Sequence, residues 1–412
     1  MTFGLIYAII NAMTSNGDDR MSDFKKLALA ARTLVIFRSL KERTVFSKLL
    51  MALEYESAEC YCDFVAALYM HSDNLTEYML KLVLENENIF MLTRGAGKKT
   101  GFFLDECLAN ELALIEEIAK IPAAEFERKI GFDGFLPHYA VSADIDFSAV
   151  YAQRIYAISQ YGYGIYSEYH VFMIKNGAIA PVKNPDPIKL SQLSGYEYQR
   201  KQVIDNTLAL LRGRPANNVL LYGDCGTGKS STVKAIANEY RSKGLRLIEL
   251  KKKQLHELPN ITETVCKNPL KFIIFIDDLS FTEDDDDFAA LKAILEGSVA
   301  AAADNLVIYA TSNRRHLVRE TFSSREGDEV HLNDTLQEFL SLSDRFGLSV
   351  CFQKPDKQTY FNIIDELAAE YQLTTPLDEV HTQAEAFAIQ RGGRSPRTAK
   401  QFIEYLKGNE DQ

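Results

Sequence analysis

Asn218-Val219-Leu220-Leu221-Tyr222-Gly223-Asp224-Cys225-Gly226-Thr227-Gly228-Lys229-Ser230-Ser231 reads as an apolar strand entering a glycine-rich loop and then a helix. Gly223, Gly228, Lys229 and Ser230 fill the pattern G-x-x-x-x-G-K-[ST] of a phosphate-binding P-loop. Glycines let the backbone turn tightly, so that successive N–H groups and the positive end of the following helix point at one polyphosphate. Lys229 is then placed for the β- and γ-phosphates, and the Ser230 hydroxyl for Mg²⁺. Both flanks agree: Val219 to Tyr222 is a buried-strand run, and Val233, Ile236 and Tyr240 recur at helical spacing behind the loop.

Working outward, Phe272-Ile273-Ile274-Phe275-Ile276 is an apolar strand ending in Asp277 and Asp278. A parallel strand buried on both faces has this composition, and its C-terminal end is where ligand sites form. Asp277 is positioned to hold the Mg²⁺ shell, and Asp278 to orient or deprotonate an attacking water. A third strand, Leu306 to Ala310, ends in Thr311-Ser312-Asn313, followed by Arg314 and Arg315. If that strand lies between the other two, Asn313 can report the γ-phosphate. Ser343-Asp344-Arg345-Phe346-Gly347 leads into the strand Leu348 to Phe352, and Arg345 can act as a finger on a neighbouring subunit's nucleotide. Ser395 and Pro396 are N-cap and first-turn residues, so Arg397 starts a helix within a C-terminal helical segment.

Ahead of the P-loop, Ile188, Leu190 and Leu193 have the character of a wall for an adenine ring; core packing explains the same residues. The loop set Gly223, Asp224, Cys225, Gly226, Thr227, Gly228, Lys229, Ser230 and Ser231, with Ile188 and Leu193, is the expected nucleotide-binding set. Tyr169 to Ile174 and Ala178 to Val182 flank Lys175-Asn176-Gly177, an Asn-Gly hairpin signal. Pro185 and Pro187 follow as a linker. Tyr161, Tyr163, Tyr166 and Tyr169 offer rings for nucleobases, but no Arg or Lys is interleaved with them, which favours packing.

Phe24 to about Ile130 repeats apolar residues at three- and four-residue steps and is expected to be helical. The layout expected is therefore a start-site extension or loose arm at 1–20, a mainly helical domain at 21–184 ending in the hairpin, an α/β domain at 185–353 and a helical lid at 354–412. The 412 residues suffice for two or three domains. A net charge of -11 argues against non-specific nucleic-acid binding through an overall positive field. No apolar run is long enough to cross a bilayer. Six cysteines without paired spacing read as core or incidental thiols in a reducing, cytoplasmic compartment. Glu283 to Asp287 is read as a solvated acidic loop, and Lys251-Lys252-Lys253 as a turn or a contact for phosphate.

The ordered set of P-loop, Asp-Asp strand end, Thr-Ser-Asn tip, Ser-Asp-Arg-Phe-Gly and the Arg397 helix resembles an AAA+ ATPase module over about residues 186 to 408. It is similar to replication-initiator and transposition-helper ATPases. The stretches Gly223 to Lys234, Asp277 to Phe281 and Ala310 to Leu317 resemble more closely an uncharacterised bacterial AAA+ family catalogued as a domain of unknown function. The resemblance implies Lys229 and Ser230 as Walker A, Asp277 and Asp278 as Walker B, Asn313 as sensor 1, Arg345 as arginine finger and Arg397 as sensor 2. It implies Mg-ATP hydrolysis to ADP and phosphate by a homo-oligomer acting on an unknown protein or nucleoprotein partner. A DNA loader or initiator and a P-loop small-molecule kinase are the alternatives. Most AAA+ modules carry Glu where this chain has Asp278, so slow or partner-stimulated turnover is expected.

Overall fold

The computed structural model describes residues 22–279, 291, 295, 304–313 and 345–410. The arm at 1–20, the acidic run Glu283 to Asp287, Asp344, Arg314 and Arg315 lie outside the described residues. The chain divides between Ala157 and Ile158 into two units.

The first unit is helical, as the three- and four-residue periodicity predicts. Its helices are α1 (Asp23–Arg32), α2 (Thr44–Tyr55), α3 (Ala58–Tyr69), α4 (Leu75–Glu85), α5 (Ile89–Gly95), α6 (Phe102–Ala119), α7 (Ala123–Ile130) and α8 (Phe147–Tyr156). Polar caps fix several of the starts: Ser22, Ser57, Asn74, Asn88 and Asp146 each accept a first-turn N–H. Phe24, Tyr61, Phe64 and Phe126 are buried together, with Phe126 4.8 Å from Phe24 and 5.1 Å from Tyr61 between ring centroids. The buried Glu111 carboxylate accepts the N–H groups of Val35, Ile36 and Phe37 at 2.6, 3.1 and 3.0 Å, so its charge is matched by three donors.

The second unit is built on a seven-stranded sheet. In chain order it contains α9 (Ile158–Tyr161), α10 (Ile165–Glu168), β1 (Val171–Lys175), β2 (Ala178–Pro181), α11 (Glu197–Leu211), β3 (Val219–Gly223), α12 (Lys229–Glu239), β4 (Leu245–Leu250), α13 (Leu258–Val265), β5 (Lys271–Ile276), β6 (Leu306–Ser312), β7 (Leu348–Phe352), α14 (Lys357–Glu370), α15 (Leu377–Gln390) and α16 (Pro396–Glu410). The strand order is β2-β1-β4-β5-β6-β3-β7, parallel throughout except for β1 against β2. Alternate strand residues feed two cores. Leu221, Leu247, Ile273 and Phe275 pack with Val203 and Leu210 of α11 and Val233 and Ile236 of α12. Ile248, Phe272, Ile274 and Ile276 pack with Leu258, Ile261 and Val265 of α13. The sheet is therefore covered on both faces, which explains the uninterrupted apolar run of β5.

The hairpin turns where Asn-Gly places it, with Asn176 and Gly177 at φ of 53° and 75°. Its location corrects the expected domain limit near Pro185. Val171, Phe172 and Met173 pair in parallel with Leu247, Ile248 and Glu249, so the hairpin belongs to the sheet and not to the helical unit. Pro185 and Pro187 lie within the second unit. Tyr166 also packs into this unit's core, 5.5 Å edge-on to Phe272, in keeping with the packing reading of the tyrosines. The helices α14, α15 and α16 close a separate small core around Tyr360, Ile364, Val380 and Phe402.

Candidate nucleotide site

The order of the central strands brings the ends of β3, β5 and β6 side by side, with β6 between the other two. Gly223 ends β3 at φ 128°, and a Cβ there would sit 2.2 Å from the Phe352 carbonyl oxygen of β7. Only a glycine fits that close approach. Gly228 follows at φ 90° and caps α12. At the first residue of α12, Lys229 is 7% exposed, and its Nζ donates to Gly223 O at 2.9 Å, Asp224 O at 2.7 Å and Asn313 Oδ1 at 3.3 Å. Burial pushes the Lys229 pKa down, while Cys225, Asp224, Asp277 and Asp278 oppose that shift.

Ser230 Oγ donates to Asp277 Oδ1 at 2.5 Å. A hydroxyl beside one carboxylate is an oxygen donor set suited to Mg²⁺, which is held by one or two carboxylates together with substrate phosphates. Among the described residues no group of three or more His, Cys, Asp or Glu gathers as a metal cage. Asp278 stands at φ 52°, and its Oδ1 accepts from Asn313 Nδ2 at 2.8 Å. Asn313 thus joins the P-loop lysine to the second carboxylate.

These groups open on a cavity of about 710 Å³. Cys225, Gly226, Thr227, Gly228, Lys229, Ser230 and Ser231 line it, with Asp277, Asp278 and Asn313 at one side. Ile188 and Leu193 form an apolar wall with Ile363 and Leu367 of the lid, and Arg397 and Lys400 of α16 complete the rim. Leu190 instead packs against the core beneath the sheet. Gly223 and Asp224 stand behind the lining: their carbonyls hold Lys229, and Asp224 Oδ2 accepts the Lys354 N–H at 2.8 Å. Arg345 is half-buried and is not among the lining residues of its own chain's cavity.

Two links tie the lid to the loop. The Arg397 N–H donates to Gly226 O at 3.2 Å, and Lys354 Nζ donates to Gly392 O at 3.0 Å while its backbone holds Asp224. Ser395 Oγ caps α16 by accepting from Thr398 N at 3.1 Å, as its place before Pro396 predicts.

Sequence reasoning missed three contributors. Asn238 of α12 donates to the carbonyls of Asp186 and Ile188, both at 2.8 Å, and so pins the apolar wall; His170 Nε2 meets Asn238 Oδ1 at 2.9 Å. Arg200 of α11 lines the cavity, with its pKa lowered by burial. Thr311, quoted as part of the strand tip but given no role, bonds both Asp277 and the Asp278 backbone. Its signal was a hydroxyl at the end of an otherwise apolar strand.

The family description "Protein of unknown function (DUF815)" matches residues 167–410, more than half of the chain. The chain belongs to the DUF815 family. The matched region holds the whole sheet and the three C-terminal helices of this DUF815 protein, and its parallel sheet with a glycine-rich loop between β3 and α12 has the α/β arrangement of a P-loop NTPase. The DUF815 chain is also 31% identical over 117 residues to the replication factor C large subunit of Staphylothermus marinus, covering 26% of this chain and 27% of that protein. It therefore spans about a quarter of the length of this curated relative. A similar solved structure is the Thermotoga maritima RuvB Holliday junction branch migration motor, at 14% identity and a TM-score of 0.32, covering 53% of this chain and 72% of that one. No helix among the described residues is long and apolar enough to cross a membrane.

Proposed function

We propose that this protein is a cytoplasmic ATPase that binds and hydrolyses Mg-ATP and couples its nucleotide state to remodelling or loading of a protein or nucleoprotein partner. The observation that carries this reading is the convergence of Lys229, Ser230, Asp277, Asp278, Asn313 and Arg397 on one cavity. In this reading the P-loop N–H groups and Lys229 bind the phosphates, and Ile188, Leu193, Ile363 and Leu367 receive the base. Ser230 and Asp277 would hold Mg²⁺, which would neutralise phosphate charge when bound. Asp278, aligned by Asn313, orients the attacking water and accepts its proton. Arg397 reports the bound phosphates to the lid, and Arg345 acts in trans in a homo-oligomer. The helical domain selects the partner.

Aspartate at 278 is one methylene shorter than glutamate, so turnover by the protein alone is slow and rises with the partner. Purified protein should bind a fluorescent ATP analogue in the presence of Mg²⁺ and release phosphate from ATP. Lys229→Ala should abolish binding, and Asp278→Asn should retain binding while losing phosphate release. Equal phosphate release by Asp278→Asn and the unaltered protein would sink the reading. A second reading rests on the 31% identity to a replication factor: a loader acting on DNA. It requires ATP-dependent DNA affinity that falls steeply with salt.

A further inference from the structure

Thr311 is 2% exposed, next to the apolar Tyr309 and Ala310 of β6. A buried hydroxyl is costly unless it is hydrogen-bonded, and this one is bonded twice. It accepts the Asp278 N–H at 2.9 Å and donates to Asp277 Oδ1 at 2.6 Å. A hydroxyl has one proton to give and lone pairs to receive, so the two bonds run in one direction: Asp278 N–H to Thr311 O–H to Asp277 carboxylate. Bonds in such a chain polarise one another. The Thr311 carbonyl also accepts the Leu279 N–H at 2.7 Å. One residue of β6 therefore holds three successive residues leaving β5.

The backbone makes this hold consequential. Asp278 occupies the left-handed region at φ 52°, which among non-glycine residues aspartate and asparagine tolerate best. The Thr311 hydroxyl secures the N–H of that residue. It also shares Asp277 Oδ1 with Ser230, so the carboxylate is oriented from two sides.

We propose that Thr311 is a positioning residue that sets the directions of both carboxylates through its hydroxyl: Asp277 toward Mg²⁺ and Asp278 toward the reacting water. The proposal rests on the reading of this cavity as a Mg-ATP site. Thr311→Val keeps the branched shape and removes the hydroxyl; Thr311→Ser keeps the hydroxyl. The measurement is binding of a fluorescent ATP analogue, titrated with Mg²⁺ and repeated in EDTA, with phosphate release followed in parallel. Thr311→Val should need about tenfold more Mg²⁺ for half-maximal binding, the scale expected for loss of one hydrogen bond to a charged group. Its binding in EDTA should match the unaltered protein, because Lys229 and the loop are untouched. Its kcat should fall further than its KM rises, and Thr311→Ser should restore both properties to within about threefold. If Thr311→Val does not fold, Thr311→Ala, checked by thermal melting, is compared with Thr311→Ser in the same titrations. Unchanged Mg²⁺ dependence in the hydroxyl-free variant, or equal damage in Thr311→Ser, overturns the proposal while leaving the site reading intact. Absence of Mg²⁺-dependent binding in the unaltered protein overturns both.

Discussion

Asn313 Nδ2 lies 2.8 Å from Asp278 Oδ1, and the same amide accepts from Lys229 through its oxygen. One side chain thereby links the Lys229 ammonium to the carboxylate proposed to orient the water. Asn313→Ala should lower kcat by about 10²-fold or more, in the range for loss of a correctly placed general base, while changing ATP affinity severalfold at most. Phosphate-release kinetics with a parallel binding titration check this; an affinity loss as large as the kcat loss would assign Asn313 to binding alone.

Gly223 and Gly228 separate two kinds of strain. Alanine at 223 meets the Phe352 carbonyl at 2.2 Å as well as adopting φ 128°, whereas at 228 nothing lies within 4 Å of the added Cβ and only φ 90° opposes it. Without nucleotide, Gly228→Ala should cost about 1–2 kcal/mol from backbone conformation, and Gly223→Ala clearly more. The comparison is made by thermal melting; equal midpoints for the two variants would contradict the packing of β3 against β7.

Arg345 and Lys229 test the proposed assembly. Arg345→Ala should keep ATP binding and lose hydrolysis, Lys229→Ala should lose both, and a mixture of the two should recover part of the activity. Mixed subunits recover it only if one chain's arginine completes another chain's site. A mixture as inactive as its components would count against an arginine acting in trans.

His170 gives a pH signature. Burial lowers its pKa below the ordinary 6.5, outweighing the opposing hydrogen bond that its Nε2 makes to Asn238 Oδ1. The unfolded chain then takes up the proton first, so stability falls as pH drops through and below 6.5. His170→Gln should flatten the melting midpoint between pH 7 and pH 5. Asn238→Ala, which releases the carbonyls of Asp186 and Ile188, should weaken ATP binding by about tenfold, corresponding to roughly 1–1.5 kcal/mol. Calorimetric titration reads that loss.

The parts of the site that were legible in the sequence are those whose chemistry is local. The P-loop is contiguous from Gly223 to Ser231, and Asp277 announces itself by ending an apolar run. Ser395 and Pro396 likewise fix the start of α16 within two residues. The hydroxyl of Thr311 stands out at the end of an apolar strand, but its partners were not legible, because they follow from the β5–β6 register that sets Ile276 opposite Ala310. Lys354 and Asn238 act on backbone atoms far along the chain, where side-chain type gives no periodic signal. The domain limit was misplaced for the same reason: prolines mark where a chain turns, while the parallel pairing of Val171 with Leu247 is a non-local event.

The four-residue β2 gives the sheet an outer rim that resists templating. Val182 N donates inward to Val171 O, so by alternation Ala180 and Ala178 also face β1, and the outward positions are Ile179 and Pro181. Proline has no N–H, which leaves Ile179 as the outward backbone donor of this strand. Another strand arriving here finds too few partners to extend the ladder. Open-ended strand addition is thereby disfavoured at that rim.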